Sequence, residues 1–139
     1  MRLVESFKTF FPDLYQYYGE LAKSISEPPT YLDFVYGAFA SICVNTGGKV
    51  ATNKHRDFLN LGPGLCGVVP FGKFDSKRSG WLVLWDPKIC VEAAAGDIVL
   101  FPSGVVTHSN TSIHHDDERN SLAFWCGSSL FLWNEVCFT

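Results

Sequence analysis

Apolar positions fall into two textures along the chain. In "TFFPDLYQYYGELAKSI", Leu14, Tyr17, Tyr18 and Leu21 recur at intervals of three and four, Pro12 stands near the start and "SEPPT" follows. This spacing predicts one amphipathic helix over about residues 11–25. After Pro29 the pattern changes to short runs rich in Val, Ile, Phe and Trp, separated by Gly, Pro, Asp and Asn. Such runs predict strands at about 35–45, 49–55, 64–71, 81–85, 88–92, 97–101, 105–109 and 119–126, with "WDPK" and "AAAGD" as turns. Many short strands without interleaved helices point to a mainly β architecture, either a β-sandwich or a barrel-like double sheet such as a jelly roll, over about residues 35–133.

Composition narrows this picture. At 139 residues the chain has the size of one domain, and 47% hydrophobic residues with twelve Phe and four Trp supply enough apolar surface for a core. The five cysteines are odd in number and lack a C-x-x-C spacing, so they read as buried, reduced thiols and the expected compartment is intracellular, the nucleus included. No leader-like segment opens the chain, and no apolar run approaches the length of a membrane span. A net charge of −3 argues against a generally basic surface. Between residues 49 and 78, however, Lys49, Lys54, Arg56, Lys73, Lys77 and Arg78 face only Asp57 and Asp75, a local basic stretch that reads either as solvated loop residues or as a nucleic-acid surface.

Within that stretch "KHRD" places His55 and Asp57 two residues apart, on one face of an extended strand, where an imidazole and a carboxylate can aim at one point. The pattern alone is weak, because "IHHDDE" contains two further matches, His114/Asp116 and His115/Asp117. Context separates them: "IHHDDE" lies in a polar loop with no later histidine, whereas His55/Asp57 closes an apolar stretch and has His108 downstream, at the end of "GDIVLFPSGVVTH". Two imidazoles and a carboxylate suit a non-haem iron(II) centre with open positions, and zinc accepts the same ligands. Arg119 opens the next apolar run and Ser121 follows two residues later; an inward guanidinium there would pair with a dicarboxylate, and iron is then the better fit. Alternatively, Arg119 is a surface residue paired with the nearby "DDE" carboxylates.

The order "HRD…N", "GD…FPS…H.N" and "R.S" resembles the iron(II)- and 2-oxoglutarate-dependent dioxygenases. It is most similar to their ten-eleven-translocation (TET) and J-binding-protein branch of nucleic-acid base oxygenases, expanded in basidiomycete fungi, and the resemblance covers about residues 35–133. It implies a double-stranded β-helix, a cupin-like jelly roll, behind one N-terminal helix. It also implies that His55, Asp57 and His108 would hold Fe(II) and that Arg119 and Ser121 would bind 2-oxoglutarate. Asn60 matches an asparagine that faces the flipped base in TET enzymes; on turn preferences alone it reads as a turn residue before "LGPG".

Three function classes follow. The first is a dioxygenase that uses dioxygen and 2-oxoglutarate to hydroxylate the methyl group of a methylated nucleobase in DNA or RNA, flipped or single-stranded. The second keeps that chemistry for a protein side chain or small molecule. The third is an inactive jelly-roll binding module that retains the ligands. No membrane partner is expected, and the chain is expected to be a monomer.

Overall fold

The computed structural model describes residues 2–30, 32 and 37–137. Among these lie α1 (Arg2–Phe10), α2 (Pro12–Ser26), β1 (Ser41–Asn45), β2 (Cys66–Lys73), β3 (Leu82–Leu84), β4 (Ile89–Val91), β5 (Val99–Phe101), β6 (His108–Asn110), β7 (Glu118–Trp125) and α3 (Ser128–Glu135). A four-stranded antiparallel sheet runs in the order β1-β7-β2-β5 and faces a three-stranded sheet, β4-β3-β6. Residues 35 and 36 of the first predicted strand lie outside the described residues.

The predicted strand at 49–55 forms no continuous ladder. It pairs instead at isolated points, Lys49 with Arg119 and His55 with His108. The backbone N–H of His55 donates to His108 O at 3.0 Å, that of His108 to His55 O at 2.9 Å, and that of Asn110 to Thr52 O at 3.0 Å. This segment therefore extends the smaller sheet beyond β6. With it counted second in chain order, eight segments divide between the two sheets in the orders 1-8-3-6 and 2-7-4-5. That winding is a jelly roll.

β7 shows why its sequence reads as nearly continuous burial rather than clean alternation. Arg119, Ser121, Ala123 and Trp125 face the space between the sheets, while Leu122 and Phe124 face the helices. Both faces of the larger sheet are covered, so apolar residues are favoured on each. On the outer face Leu3, Phe7, Tyr18, Leu21, Ile25, Phe39, Phe124 and Phe131 form the main core, with Phe7 stacked on Phe39 at 5.2 Å and edge-on to Tyr18 at 5.3 Å. Burial of each such side chain contributes about 1.5–3 kcal/mol. A Cβ on Gly67 would stand 2.7 Å from Leu3 Cδ1, so glycine lets α1 lie directly on β2. Between the sheets, Leu82, Leu84 and Phe101 form a smaller cluster that closes one side of the cavity.

The helical part is larger than the one predicted helix. α1 packs Leu3 and Phe7 into the core one turn apart, and α3 follows β7 where the sequence reads as the end of the β core. The cysteines also differ from expectation: all five are free, and Cys66 and Cys126 are buried, but Cys90 and Cys137 are exposed. No described helix is long and apolar enough to cross a membrane.

Candidate metal centre

The mutual hydrogen bonds between His55 and His108 hold two neighbouring segments at their closest approach, and both imidazoles point into the cavity with ring centroids 4.2 Å apart. Strand alternation brings Asp57 to the same side, and its backbone N–H donates to Ser103 O at 3.0 Å. His55 Nε2 lies 3.4 Å from Asp57 Oδ1, and His108 Nε2 lies 3.9 Å from Asp57 Oδ2. The three donor atoms fall within 4.8 Å of one another.

The backbone fixes which ring nitrogens are available. His55 Nδ1 lies 2.7 Å from Asn53 O and His108 Nδ1 lies 2.9 Å from Val106 O. A carbonyl only accepts, so each Nδ1 carries the proton and each neutral ring presents a lone pair at Nε2. Carbonyl partners of this kind orient metal-binding histidines. Burial pushes the His108 pKa below the usual histidine value, and the nearby His55 adds to that, so the neutral form that a metal requires is favoured.

Arg119 lines the same cavity as this triad and is 3% exposed. Its Nη1 donates to Val50 O at 2.8 Å, but its buried Nε has no hydrogen-bond partner and no carboxylate pairs with it among the described residues. Burial lowers its pKa, the expected response of a cation without a counter-charge. Gly80, at φ +70°, makes the space: a Cβ there would stand 2.4 Å from Arg119 Cδ. Ser121 follows on the same face of β7, and its Oγ accepts from Asn45 Nδ2 at 3.2 Å. The surface-pair reading of Arg119 is thereby corrected. Of the "DDE" carboxylates, Asp117 is gripped by Arg78 Nη2 at 2.8 Å and by Ser79 Oγ at 2.6 Å.

One cavity of about 540 Å³ is lined by His55, Asp57, His108, Arg119 and Ser121 together, with Val68, Leu82, Val99 and Phe101 among its apolar walls. Asn60 lines it too, and its side chain serves the carboxylate: Nδ2 donates to Ser103 Oγ at 3.0 Å and to Asp57 Oδ2 at 3.4 Å, while its backbone N–H closes a turn onto Asp57 O. Cys66 lines the same wall, its thiol pushed up to about 12 by burial and by the Asp57 charge.

The structure also gathers His114, His115 and Asp116, but three successive residues supply this group and His115 is 81% exposed. Two members of the basic stretch are committed elsewhere: Lys49 donates to His114 O and His115 O, and Arg78 binds Asp117. Sequence reasoning missed Asn45, Gly80 and Cys66. Only the register of β1 on β7, which sets Asn45 opposite Ser121, brings the first of them to the site.

No protein-family model and no curated protein matches the chain. Among solved structures, NgTET1 in complex with 5mC DNA matches 78% of this chain with a TM-score of 0.60 at 18% identity. The fold is a cupin-like jelly roll. The matched region spans 42% of the NgTET1 chain, and identity at this level speaks to fold alone. An RmlC-like cupin from Desulfovibrio desulfuricans matches 60% of this chain and 69% of its own at 14% identity, with a TM-score of 0.40. A cupin 2 conserved barrel domain protein from Salinispora arenicola matches 69% and 68% at 18% identity, with a TM-score of 0.36.

Proposed function

We propose that the protein is an iron(II)- and 2-oxoglutarate-dependent dioxygenase that hydroxylates the methyl group of a methylated nucleobase in DNA or RNA. The observation that carries this reading is the pairing, in one cavity, of a His–Asp–His donor set with a buried arginine that lacks a carboxylate partner. Two neutral imidazoles and a carboxylate fit iron(II) and leave coordination positions open. A buried, unpaired guanidinium is unfavourable by itself and is compensated by a bidentate carboxylate. A dicarboxylate that reaches from the metal to Arg119 satisfies both ends.

Bound iron supplies the activation of dioxygen, with 2-oxoglutarate as the electron donor that leaves as succinate and carbon dioxide. The chain's own residues do the positioning. Asn53 O and Val106 O keep both Nε2 lone pairs aimed inward, and Asn60 and Ser103 restrain the Asp57 carboxylate. Arg119 and Ser121 would orient the distal carboxylate, while Val68, Leu82 and Phe101 exclude water from the wall between. Support for a nucleobase comes from the likeness to NgTET1, a protein solved with 5mC DNA.

The test measures succinate release from 2-oxoglutarate with iron(II), alone and with methylated oligonucleotides or peptides, and the mass of the recovered substrate. The expected outcome is stimulation by the methylated oligonucleotide with a gain of one oxygen. Turnover coupled to a peptide instead would overturn the substrate, and metal binding without turnover would leave only a binding module. His55→Ala and His108→Ala should lose the iron, whereas His114→Ala and His115→Ala should retain it by elemental analysis.

A further inference from the structure

The segment that carries the metal ligands also carries exposed side chains. His55 and Asp57 point inward; Lys54 is exposed beside them, and Arg56 and Phe58, also exposed, stand at the rim of the same cavity. Lys54 Nζ lies 4.2 Å from the centre of the Trp85 ring, and Trp85 is itself held by a hydrogen bond from Nε1 to Ser109 Oγ at 3.0 Å. No carboxylate pairs with Lys54 among the described residues. Arg56 is anchored through Nε to Thr107 Oγ1 at 2.8 Å and through Nη2 to Asp86 at 3.3 Å, which leaves most of its N–H donors unused. Lys88 adds a further exposed cation in the turn that carries Asp86. Phe58 is 80% exposed at the cavity mouth, directly after the ligand Asp57.

Two fixed cations, followed by an uncovered aromatic ring beside the cavity, match the chemistry of a single-stranded polynucleotide. Cations track the phosphates, and an aromatic side chain takes a base face. An acidic peptide would use Lys54 and Arg56 but would give Phe58 no planar partner. The surface is local on a chain of net charge −3.

We propose that Lys54, Arg56 and Phe58 form the track of a single-stranded nucleic acid, with phosphates on the two cations and the base next to the reacting one stacked on Phe58. This deepens the nucleobase reading above and rests on it for the reacting base.

The test is fluorescence anisotropy of a labelled single-stranded oligonucleotide, on the order of 10 nucleotides long, titrated with the chain at several salt concentrations. Lys54→Ala with Arg56→Ala should weaken binding at least tenfold and reduce the slope of log K against log salt by about 1.4, at about 0.7 per phosphate. Phe58→Ala should weaken binding by roughly 5- to 100-fold with the slope unchanged, and Lys73→Ala with Lys77→Ala should bind as the parent does. Circular dichroism confirms that each variant is folded. An unchanged slope in the double variant, no binding by the parent chain, or equal competition by polyglutamate would overturn the track. Anisotropy that follows the track without succinate stimulation by methylated oligonucleotide would uphold the track and count against the proposed reaction; stimulation that survives the double variant at an unchanged slope would do the reverse.

Discussion

Arg119 is the residue on which the chemistry of the cavity turns. A guanidinium buried with one carbonyl partner and an unsatisfied Nε weakens the ligand-free fold, whereas an apolar side chain of similar length would not. Arg119→Met should therefore leave the melting temperature of the ligand-free protein unchanged or raise it. A fall of several degrees in a thermal melt would make Arg119 a structural residue instead. That His55 and Asp57 share a face was legible in the chain, because i, i+2 spacing sets the face of a side chain without knowledge of the fold, whereas His108 joins them through the pairing of its segment with theirs. The space for Arg119 was not legible. It depends on Gly80, which arrives from the segment before β3 and meets Arg119 only once the two sheets close.

At the scale of elements, the loop between β6 and β7 is pinned to the segments around it. Arg78 and Ser79 hold Asp117, and the Lys49 ammonium reaches the carbonyls of His114 and His115. Hydrogen bonds from Arg78 and then Ser79 hold the Asp117 carboxyl well below the usual carboxylate range. Its stabilising contribution is therefore complete above the unfolded value of about 3.9 and is lost as pH falls from there toward the depressed folded value. Asp117→Asn should lower the melting temperature at pH 7, and the gap to the parent should shrink at pH 3. A gap that is constant with pH would contradict the assignment. The sequence pattern placed the strands well where one face is apolar and turns punctuate the runs. It overextended at 49–55, where pairing is confined to bridges on two different neighbours. It passed over α3, whose "SSLFLWNE" has no one-sided apolar stripe, and over α1, although Leu3, Val4, Phe7 and Phe10 recur there at helical spacing.

For the whole molecule, the larger sheet divides two tasks between its faces. One face packs against the helices and supplies the main core; the other lines the cavity. α1 is part of that core, so Phe7→Ala, at a site with no exposure and four aromatic neighbours, should cost about 3–5 kcal/mol in urea unfolding. A loss below about 1 kcal/mol would mark α1 as an appendage. With the outer face committed to stability, the inner face is free to keep a buried charge and converging metal donors. The most direct check of that division is calorimetric titration of 2-oxoglutarate, without oxygen, into the chain loaded with iron(II). One binding site that requires the metal is expected, lost in His55→Ala and weakened by about 2–5 kcal/mol in Arg119→Met, as when one partner of a buried charge pair is removed. Absence of 2-oxoglutarate binding to the iron-loaded protein, or equal affinity in Arg119→Met, would contradict that division.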